Sequence, residues 1–263
     1  MPEVTVGVVA YKAREQLQKC ISSLMFSEVD YHLIVLDNSP PDHETRKYLL
    51  ERKQLGDEMT LIIPEKNIGF GPAYNRIFAL CETPYFLVLN PDCYVPKKWL
   101  EPLVTCMWEH DTEEHPVGIV GCYVRNPDGS PQRQGVAFKP DGEPFDMVIN
   151  DWPNGKPFAY EAQAISAVCF LVRKQVIDEI QFNEVYGLGY FEDVAFSFDV
   201  RRKGYSVWWT PDIEVTHEAH SSWKGEDKKL LNDVFQENLK RFLEANKGFI
   251  IPNDQWFADK VLR

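Results

Sequence analysis

The sequence predicts an α/β fold with a mixed, mainly parallel sheet and helices on both faces. Short apolar runs alternate with helical patterns up to about residue 125, and strands that alternate with helices form right-handed βαβ units. The chain has 263 residues, of which 44% are hydrophobic, so it is long enough to bury one large core.

The first half of the chain contains five predicted strands and four predicted helices. The strands are short apolar runs, at residues 4–10, 32–38, 60–64, 85–92 and 117–124. The helices lie between them. Two are predicted at residues 14–26 and 97–110, a third follows a turn within 39–53, and a fourth follows a glycine-bearing loop within 67–82. In the first helix Leu17, Ile21 and Leu24 follow one another at spacings of four and three, which is typical of one buried face. Ser39 or Asp42 is the predicted N-cap of the second helix.

After about residue 125 the pattern becomes irregular. Residues 126–156 are rich in Pro, Gly, Asp and Asn, which predicts a long loop with a hairpin. A strand, a glycine-rich loop that ends in two acids, a helix, a strand and an amphipathic helix follow, at residues 162–174, 184–193, 194–203, 205–211 and 226–245. We predict a single domain, 1–263, with divisions at 1–124, 125–225 and 226–263.

The composition excludes several classes of protein. The net charge of −12 excludes the basic footprint of a nucleic-acid-binding protein, so no nucleic-acid partner is expected. Six scattered cysteines without a CxxC pair indicate neither a zinc site nor a disulfide framework, and favour reduced thiols in the cytoplasm. The N-terminus has no signal-peptide pattern, and no apolar run approaches the roughly 18 residues of a transmembrane segment.

Polar residues follow the predicted parallel strands at the points where those strands end. They are Ala10-Tyr11, Asp37-Asn38, Asn67 to Gly71, and Asn90 to Asp92. Ligands of open α/β sheets bind beyond the carboxyl ends of the strands. The sequence therefore predicts that four separate segments converge on one ligand site.

Two strand-end carboxylates have both a functional and a structural interpretation. Asp92 suits a hard divalent cation such as Mg²⁺ or Mn²⁺, which takes one or two carboxylates together with substrate phosphates. Asp37 can accept a hydrogen bond from a base or ribose. Either residue can instead be an ordinary turn residue.

Three further motifs are ambiguous in the same way. The glycine loop Asn67 to Gly71 can approach a phosphate or sugar, but it matches neither GxGxxG nor a Walker loop. The acidic pair Glu192-Asp193 can supply a general base or complement a helix N-terminus. His217 and His220 can ligate a metal, although their spacing is not that of HExxH.

In order along the chain, these segments resemble a family-2 glycosyltransferase with the GT-A fold, a Rossmann-like nucleotide-diphospho-sugar transferase, and especially its rhamnosyltransferase-like branch. The resemblance covers residues 4–222 and rests on NIGFGPAYN, then LNPD, then FED, then a late histidine. It implies an inverting hexosyltransferase that moves a sugar from a UDP- or dTDP-sugar donor to a glycan or other hydroxyl acceptor, with Mn²⁺ or Mg²⁺ as cofactor.

The resemblance also implies roles for individual residues. Asp92 and His217 bind the metal, and Asp193 is the catalytic base with Glu192 beside it. The implied donor-binding residues are Ala10, Tyr11, Asp37, Asn38, Asn67, Gly69, Asn75 and Asn90. Residues 1–124 then form the nucleotide-sugar half and residues 125–225 the acceptor and catalytic half. The aromatic residues Trp152 and Tyr190 are predicted acceptor contacts.

Some positions depart from the family pattern. Ala195-Phe196 replace an acid followed by leucine, residues 180–185 replace Gly-Gly-Phe-Asp, and Ser166-Ala167 replace Ser-Gly. These changes fit an unusual acceptor or a degenerate enzyme. The alternatives are a sugar-nucleotide or glycan-binding module without catalysis, and a nucleotidyltransferase, whose usual Gly-rich basic N-terminal loop is poorly matched here. The resemblance implies polysaccharide biosynthesis in the cytoplasm, including the surface of a membrane that carries the acceptor.

Overall fold

The computed structural model describes residues 3–152, 155–219 and 227–260. The described residues form twelve strands: β1 (Val4–Ala10), β2 (Tyr31–Asp37), β3 (Met59–Ile62), β4 (Tyr85–Leu89), β5 (Cys93–Tyr94), β6 (Val117–Arg125), β7 (Pro131–Arg133), β8 (Val136–Phe138), β9 (Pro144–Asp146), β10 (Tyr160–Glu161), β11 (Cys169–Arg173) and β12 (Ser206–His217).

One sheet has the order β10-β12-β6-β11-β4-β1-β2-β3, with β5 beside β12 and β7 beside β6. Parallel pairs join β1 to β2 and β4, β2 to β3, and β12 to β6. Because β11 is antiparallel to both β4 and β6, strands β1 to β4, β6 and β12 all point the same way. Their carboxyl ends therefore share one edge, and the predicted mixed, mainly parallel sheet is confirmed.

Helices cover both faces of this sheet. The helices of the described residues are α1 (Arg14–Met25), α2 (Glu44–Gln54), α3 (Phe70–Phe78), α4 (Leu100–Glu109), α5 (Lys174–Glu179), α6 (Glu192–Arg202), α7 (Lys228–Asn246) and α8 (Asn253–Lys260). Apolar residues of α1, α2 and α4 share one core cluster with Val35 of β2. Those of α3, α5 and α6 share another with the adjacent Leu36. Successive strand residues point to opposite faces, so the two clusters lie on opposite sides of the sheet.

The helix α7 is attached through a smaller aromatic cluster. Phe242 of α7 stacks on Phe138 of β8, with ring centroids 5.9 Å apart, and meets Phe198 of α6 edge-on at 5.3 Å. The buried Asn238 amide donates 2.8 Å hydrogen bonds to the carbonyls of Tyr186 and Gly189. The helix therefore supports the glycine-rich loop that precedes α6.

Several predicted boundaries were wrong. The strand predicted over 162–174 is reduced to β11, because backbone groups before it bond elsewhere: the Ala164 carbonyl accepts from Val136, and the Ala167 N–H donates to Asp193. The loop predicted over 126–156 contains the predicted hairpin, formed by β8 and β9, and also the short strand β7. Residues 153–154 of this stretch lie outside the described residues. His43, whose Nδ1 accepts from the Thr45 N–H at 3.1 Å, caps α2 instead of Ser39 or Asp42.

The last strand is longer than its predicted span of 205–211. β12 continues to His217, with a register shift against β6 between Trp209 and Glu214. The shift accommodates Pro211, which has no N–H for a ladder hydrogen bond. All six cysteines are free and buried. Within the three described ranges, no helix combines the length and apolarity needed to cross a bilayer.

Candidate active site

A cavity of about 1080 Å³ opens at the carboxyl-terminal edge of the sheet. Most of the predicted site residues line it: Tyr11, Asn38, Asn67, Gly69, Asn90, Asp92, Tyr190, Glu192, Asp193 and His217. The residues Ala10, Asp37, Asn75 and Trp152 are not part of this lining. The structure thus brings together residues that are more than 200 positions apart in the sequence.

A short antiparallel ladder places Asp92 beside His217. Cys93 of β5 pairs with His217 of β12, and the Glu218 N–H donates to the Asp92 carbonyl at 2.9 Å. The His217 Nε2 atom then lies 3.2 Å from the Asp92 Oδ1 atom, and both side chains are buried. The predicted proximity of a carboxylate and an imidazole at this strand end is therefore produced by regular strand pairing.

The neighbouring Gln132 determines which nitrogen of His217 carries a proton. Its Nε2 amide donates to the His217 carbonyl at 3.3 Å and to Asn126 Oδ1 at 2.8 Å. Its Oε1 atom therefore faces His217 Nδ1, 2.6 Å away, and accepts a hydrogen bond from the N–H group of that nitrogen. In a neutral imidazole the other nitrogen, Nε2, then points a lone pair at the Asp92 carboxylate.

A lone pair and a carboxylate oxygen at this distance require a proton or a cation between them. An imidazole whose far nitrogen donates to an amide oxygen, beside a carboxylate, is a donor set that fits Mn²⁺ or Mg²⁺. The described residues contain no group of three or more His, Cys, Asp or Glu side chains arranged around a metal. Asp92 and His217 would therefore hold the ion together with substrate phosphates and water, as is usual for Mg²⁺.

The acidic pair is presented by a backbone of uncommon conformation. Tyr190 and Phe191 have φ values of 70° and 72°, and the helix α6 begins directly after them at Glu192. Residues with side chains rarely adopt such values, and they cluster at functional sites where surrounding contacts hold them. The acids occupy the first turn of α6, two residues earlier than the predicted helix start at Val194.

The two acids have different environments. Asp193 Oδ2 accepts from Ser166 Oγ at 3.0 Å and from the Ala167 N–H at 2.9 Å, while Oδ1 accepts from the Val194 N–H at 2.8 Å. Glu192 is 7% exposed, and its Oε2 atom has no hydrogen-bond partner among the described residues. Burial, reinforced by the charge of Asp193, raises the pKa of Glu192 to about 8. The raised pKa favours the protonated form of Glu192 at neutral pH, so this carboxyl group is the weaker candidate for a base.

The glycine loop before α3 packs against the loop that carries the acids. Gly69 has φ of +90°, and a Cβ atom there would lie 2.1 Å from the Gly187 carbonyl oxygen. Asn38 holds the loop by accepting from the Ile68 N–H at 3.2 Å and donating to the Gly69 carbonyl at 3.1 Å. Asn67 Oδ1 accepts from the Gly69 N–H at 2.9 Å. Two of the predicted donor-site asparagines thus shape this loop through their own hydrogen bonds.

The predicted residues outside the lining have structural contacts. Asp37 is fully buried; it ion-pairs with Arg46 and accepts from the Ser39 N–H at 2.9 Å. Asn75 joins α3 to the Phe182 backbone through hydrogen bonds of 2.9 Å in both directions.

Ala10 lies in the core, and its carbonyl accepts from the Asn38 N–H at 2.8 Å. Trp152 stacks on Trp209 with ring centroids 5.5 Å apart and meets Phe158 edge-on. Both residues therefore contribute to packing beside the cavity and not to its surface. His220, the second candidate histidine, lies outside the described residues.

Three lining residues have no recognisable signal in the sequence. Gln132 and Arg133 belong to β7 and Asp146 to β9, all within the stretch predicted to be a loop. Ser166, noticed only as a departure from the family pattern, also lines the cavity. A polar residue in a stretch rich in Pro and Gly is expected to face solvent. Only the tertiary structure places Gln132 beside His217 and links Arg133 to Asp193 through Ser166.

Residues 5–180 match the profile of glycosyl transferase family 2, which is more than half of the 263 residues. The chain belongs to glycosyl transferase family 2. An uncharacterized glycosyltransferase of Haemophilus influenzae is 26% identical to this family 2 chain over 110 residues, which are 42% of this chain and 34% of the relative. The matched segment thus spans only about a third of the relative's length.

Two solved structures share the fold of this family 2 chain. GalNAc-T7 with UDP, GalNAc and Mn²⁺ superposes with a TM-score of 0.69 and 14% identity, over 93% of this chain and 48% of that one. The mannosyltransferase PcManGT of Pyrobaculum calidifontis, with GDP-Man and Mn²⁺, gives 0.59 and 15%, over 91% of this chain and 64% of that one. The predicted GT-A fold is therefore confirmed.

Proposed function

We propose that this protein is an inverting glycosyltransferase that uses a nucleotide-diphosphate sugar and a divalent cation. The observation that carries the proposal is the presence, in one cavity, of the Asp92–His217 pair and the Glu192–Asp193 pair. The first pair suits a metal on a pyrophosphate, and the second suits deprotonation of a hydroxyl group. The two solved neighbours contain UDP and GDP-Man, each with Mn²⁺, which supports a nucleotide-sugar donor.

In the proposed reaction each pair has its own task. Asp92 and His217 would hold the cation, which would supply positive charge opposite the leaving nucleoside diphosphate. Asp193 takes the proton of the acceptor hydroxyl group as that oxygen attacks the anomeric carbon. The bond from this carbon to the phosphate oxygen breaks as the new glycosidic bond forms, so the configuration of the carbon inverts. Glu192, which keeps its proton, does not compete as the base.

The finer assignments rest on the resemblance to the family. We propose a UDP- or dTDP-sugar donor, a glycan or other hydroxyl acceptor, a rhamnosyltransferase-like specificity and a role in cytoplasmic polysaccharide biosynthesis. Tyr190 lines the cavity and is retained as an acceptor contact. The carboxylate of Asp37 is already bonded to Arg46 and Ser39, so we expect it to shape the base pocket without direct contact with the base.

A thermal-shift screen of UDP, dTDP, GDP and CDP, with and without Mn²⁺, tests donor binding, because a bound ligand raises the melting temperature by mass action. Assays of donor hydrolysis and of sugar transfer to simple glycosides then test catalysis. We expect stabilisation that depends on Mn²⁺, followed by turnover. Binding without hydrolysis or transfer would favour the non-catalytic binding module, and no binding of any nucleotide would overturn the proposal.

A further inference from the structure

Arg133, at the end of β7, reaches into the cavity beside the proposed base. Its Nη1 atom donates to Ser166 Oγ at 2.5 Å, and its Nη2 atom contacts Asp146 Oδ2 at 3.0 Å. Its buried Nε atom has no hydrogen-bond partner among the described residues. This guanidinium is thus fixed by two side chains, one of which also contacts Asp193.

The direction of these hydrogen bonds follows from the chemistry of the groups. Arginine can only donate, so Ser166 Oγ accepts from Arg133. The single hydroxyl proton of Ser166 is then directed to Asp193 Oδ2, 3.0 Å away. Oδ2 also accepts from the Ala167 N–H at 2.9 Å, so its two lone pairs are both engaged. Oδ1 accepts from the Val194 N–H and retains one lone pair.

We propose that Arg133 is a positioning residue, which acts through Ser166 to hold the Asp193 carboxylate with Oδ1 as the atom that receives the acceptor proton. The inference rests on the proposed function, in which Asp193 is the base. Arg133 belongs to the irregular segment and is not among the site residues predicted from the sequence.

The charge at Arg133 supports the same role. Arg133 bonds directly to the exposed Asp146 carboxylate and reaches the Asp193 carboxylate through Ser166, so one cation is linked to two carboxyl groups. The planar guanidinium can bond to Ser166 and Asp146 at the same time through two nitrogens, which the single ammonium of lysine cannot do with the same geometry. Lysine at this position therefore restores the charge without restoring the orientation of Asp193.

A purely structural role makes a different prediction. If Arg133 only joins β7 to the β8–β9 hairpin through Asp146, its loss lowers the melting temperature and leaves the turnover of folded protein unchanged. Asp146→Asn removes the charge of this contact and keeps the Ser166 contact intact. A positioning role therefore predicts that Arg133→Gln lowers kcat more than Asp146→Asn does.

The test compares Arg133→Gln, Ser166→Ala and the double variant in the full chain. The assay contains Mn²⁺ and the nucleotide sugar that gives the fastest transfer by the parent protein among those carrying the nucleotide selected by the screen. We expect kcat to fall by roughly tenfold to a hundredfold in each single variant, since misplacing a reacting group by about 1 Å costs up to about 10²-fold. The donor KM should stay within about twofold. Because Arg133 acts through Ser166, the double variant should be no slower than the slower single variant.

Three further variants make the result specific. Guanidinium ion at millimolar concentration should restore part of the kcat of Arg133→Ala, whereas Arg133→Lys should recover little. Arg125→Gln is the matched control, because Arg125 is paired with Glu214 at 2.7 Å and does not line the cavity. Its kcat should equal that of the parent protein.

The possible failures can be distinguished. A parent protein that transfers sugar, with Arg133→Gln at full kcat or with losses that multiply in the double variant, would overturn the positioning role alone. If the parent protein neither hydrolyses the donor nor transfers its sugar, the proposed function is overturned, and this inference with it.

Discussion

The two functional pairs of the cavity are built in different ways. Asp92 and His217 are placed by regular strand pairing, because β5 and β12 bring their backbones together. Glu192 and Asp193 follow two residues with positive φ, and Asp193 is held by the irregular segment before β11. The proposed metal-binding pair therefore follows from the fold, whereas the acidic pair depends on several separate tertiary contacts. Substitutions at the two pairs should therefore impair different properties of the protein.

The largest effect is expected for Asp193→Asn. The amide oxygen can keep the contacts of Oδ2 with Ser166 and Ala167, but the amide nitrogen replaces the proton-accepting Oδ1 and faces the Val194 N–H. Transfer should fall by at least about 10²–10⁴-fold, the usual contribution of a general base. The loss should appear in kcat, with little change in donor KM.

Calorimetric titration with UDP and Mn²⁺ is the control for this variant, and its donor affinity should match that of the parent protein. A role limited to helix capping predicts instead a stability loss of about 1 kcal/mol with intact turnover. Transfer at the parent rate would remove Asp193 from the mechanism and leave Glu192 as the next candidate.

Asp92→Ala should affect the other pair. Without this carboxylate the cation retains only His217 among the two proposed protein ligands. Affinity for UDP in the presence of Mn²⁺ should fall by at least about tenfold, since even the loss of an outer-shell partner of a metal costs about 10–100-fold. Calorimetry measures this change, and a chelator added to the parent protein should reproduce it. Equal affinities of variant and parent with Mn²⁺ would rule out the metal role of Asp92.

The contrast between the pairs also explains what the sequence could predict. The strand Val4–Ala10 was predicted with its observed limits, because a continuous apolar run is a local signal of a buried strand. Asp92 could be placed at a strand end because it lies three residues after Leu89, the last residue of such a run. Arg133 could not, because its partners Ser166 and Asp146 come from other segments. The engagement of Asp37 by Arg46 was missed for the same reason.

Glu192→Gln should produce the largest change in stability. The ordinary carboxyl pKa of 4.5 applies in the unfolded chain, whereas burial raises the pKa of Glu192 in the folded protein to about 8. The unfolded state therefore releases this proton first, and the parent protein loses stability as the pH rises from about 4.5 to about 8. The glutamine variant does not titrate here, so its stability relative to the parent should rise through this window and then level off.

Urea unfolding across this pH window measures the effect, with the exposed Glu113→Gln as a control that should follow the parent protein. A constant difference between Glu192→Gln and the parent at every pH would mean that the pKa of Glu192 is not raised in the folded state.

The smallest effect is expected for Trp152→Ala. This variant tests whether Trp152 belongs to the acceptor side of the cavity. Trp152 stacks on the fully buried Trp209 and does not line the cavity. Removing a half-buried ring that makes one stacked contact should lower stability by about 1–2 kcal/mol, while the acceptor KM stays near that of the parent protein. Trp152→Phe keeps an aromatic ring and should recover most of the lost stability.

The sequence-based prediction that Trp152 contacts the acceptor gives a different expectation. In that case Trp152→Ala should raise the acceptor KM and leave both the melting temperature and donor hydrolysis unchanged. Measuring both quantities on the two variants distinguishes a packing residue from a wall of the acceptor site, because only a wall residue changes KM without changing stability.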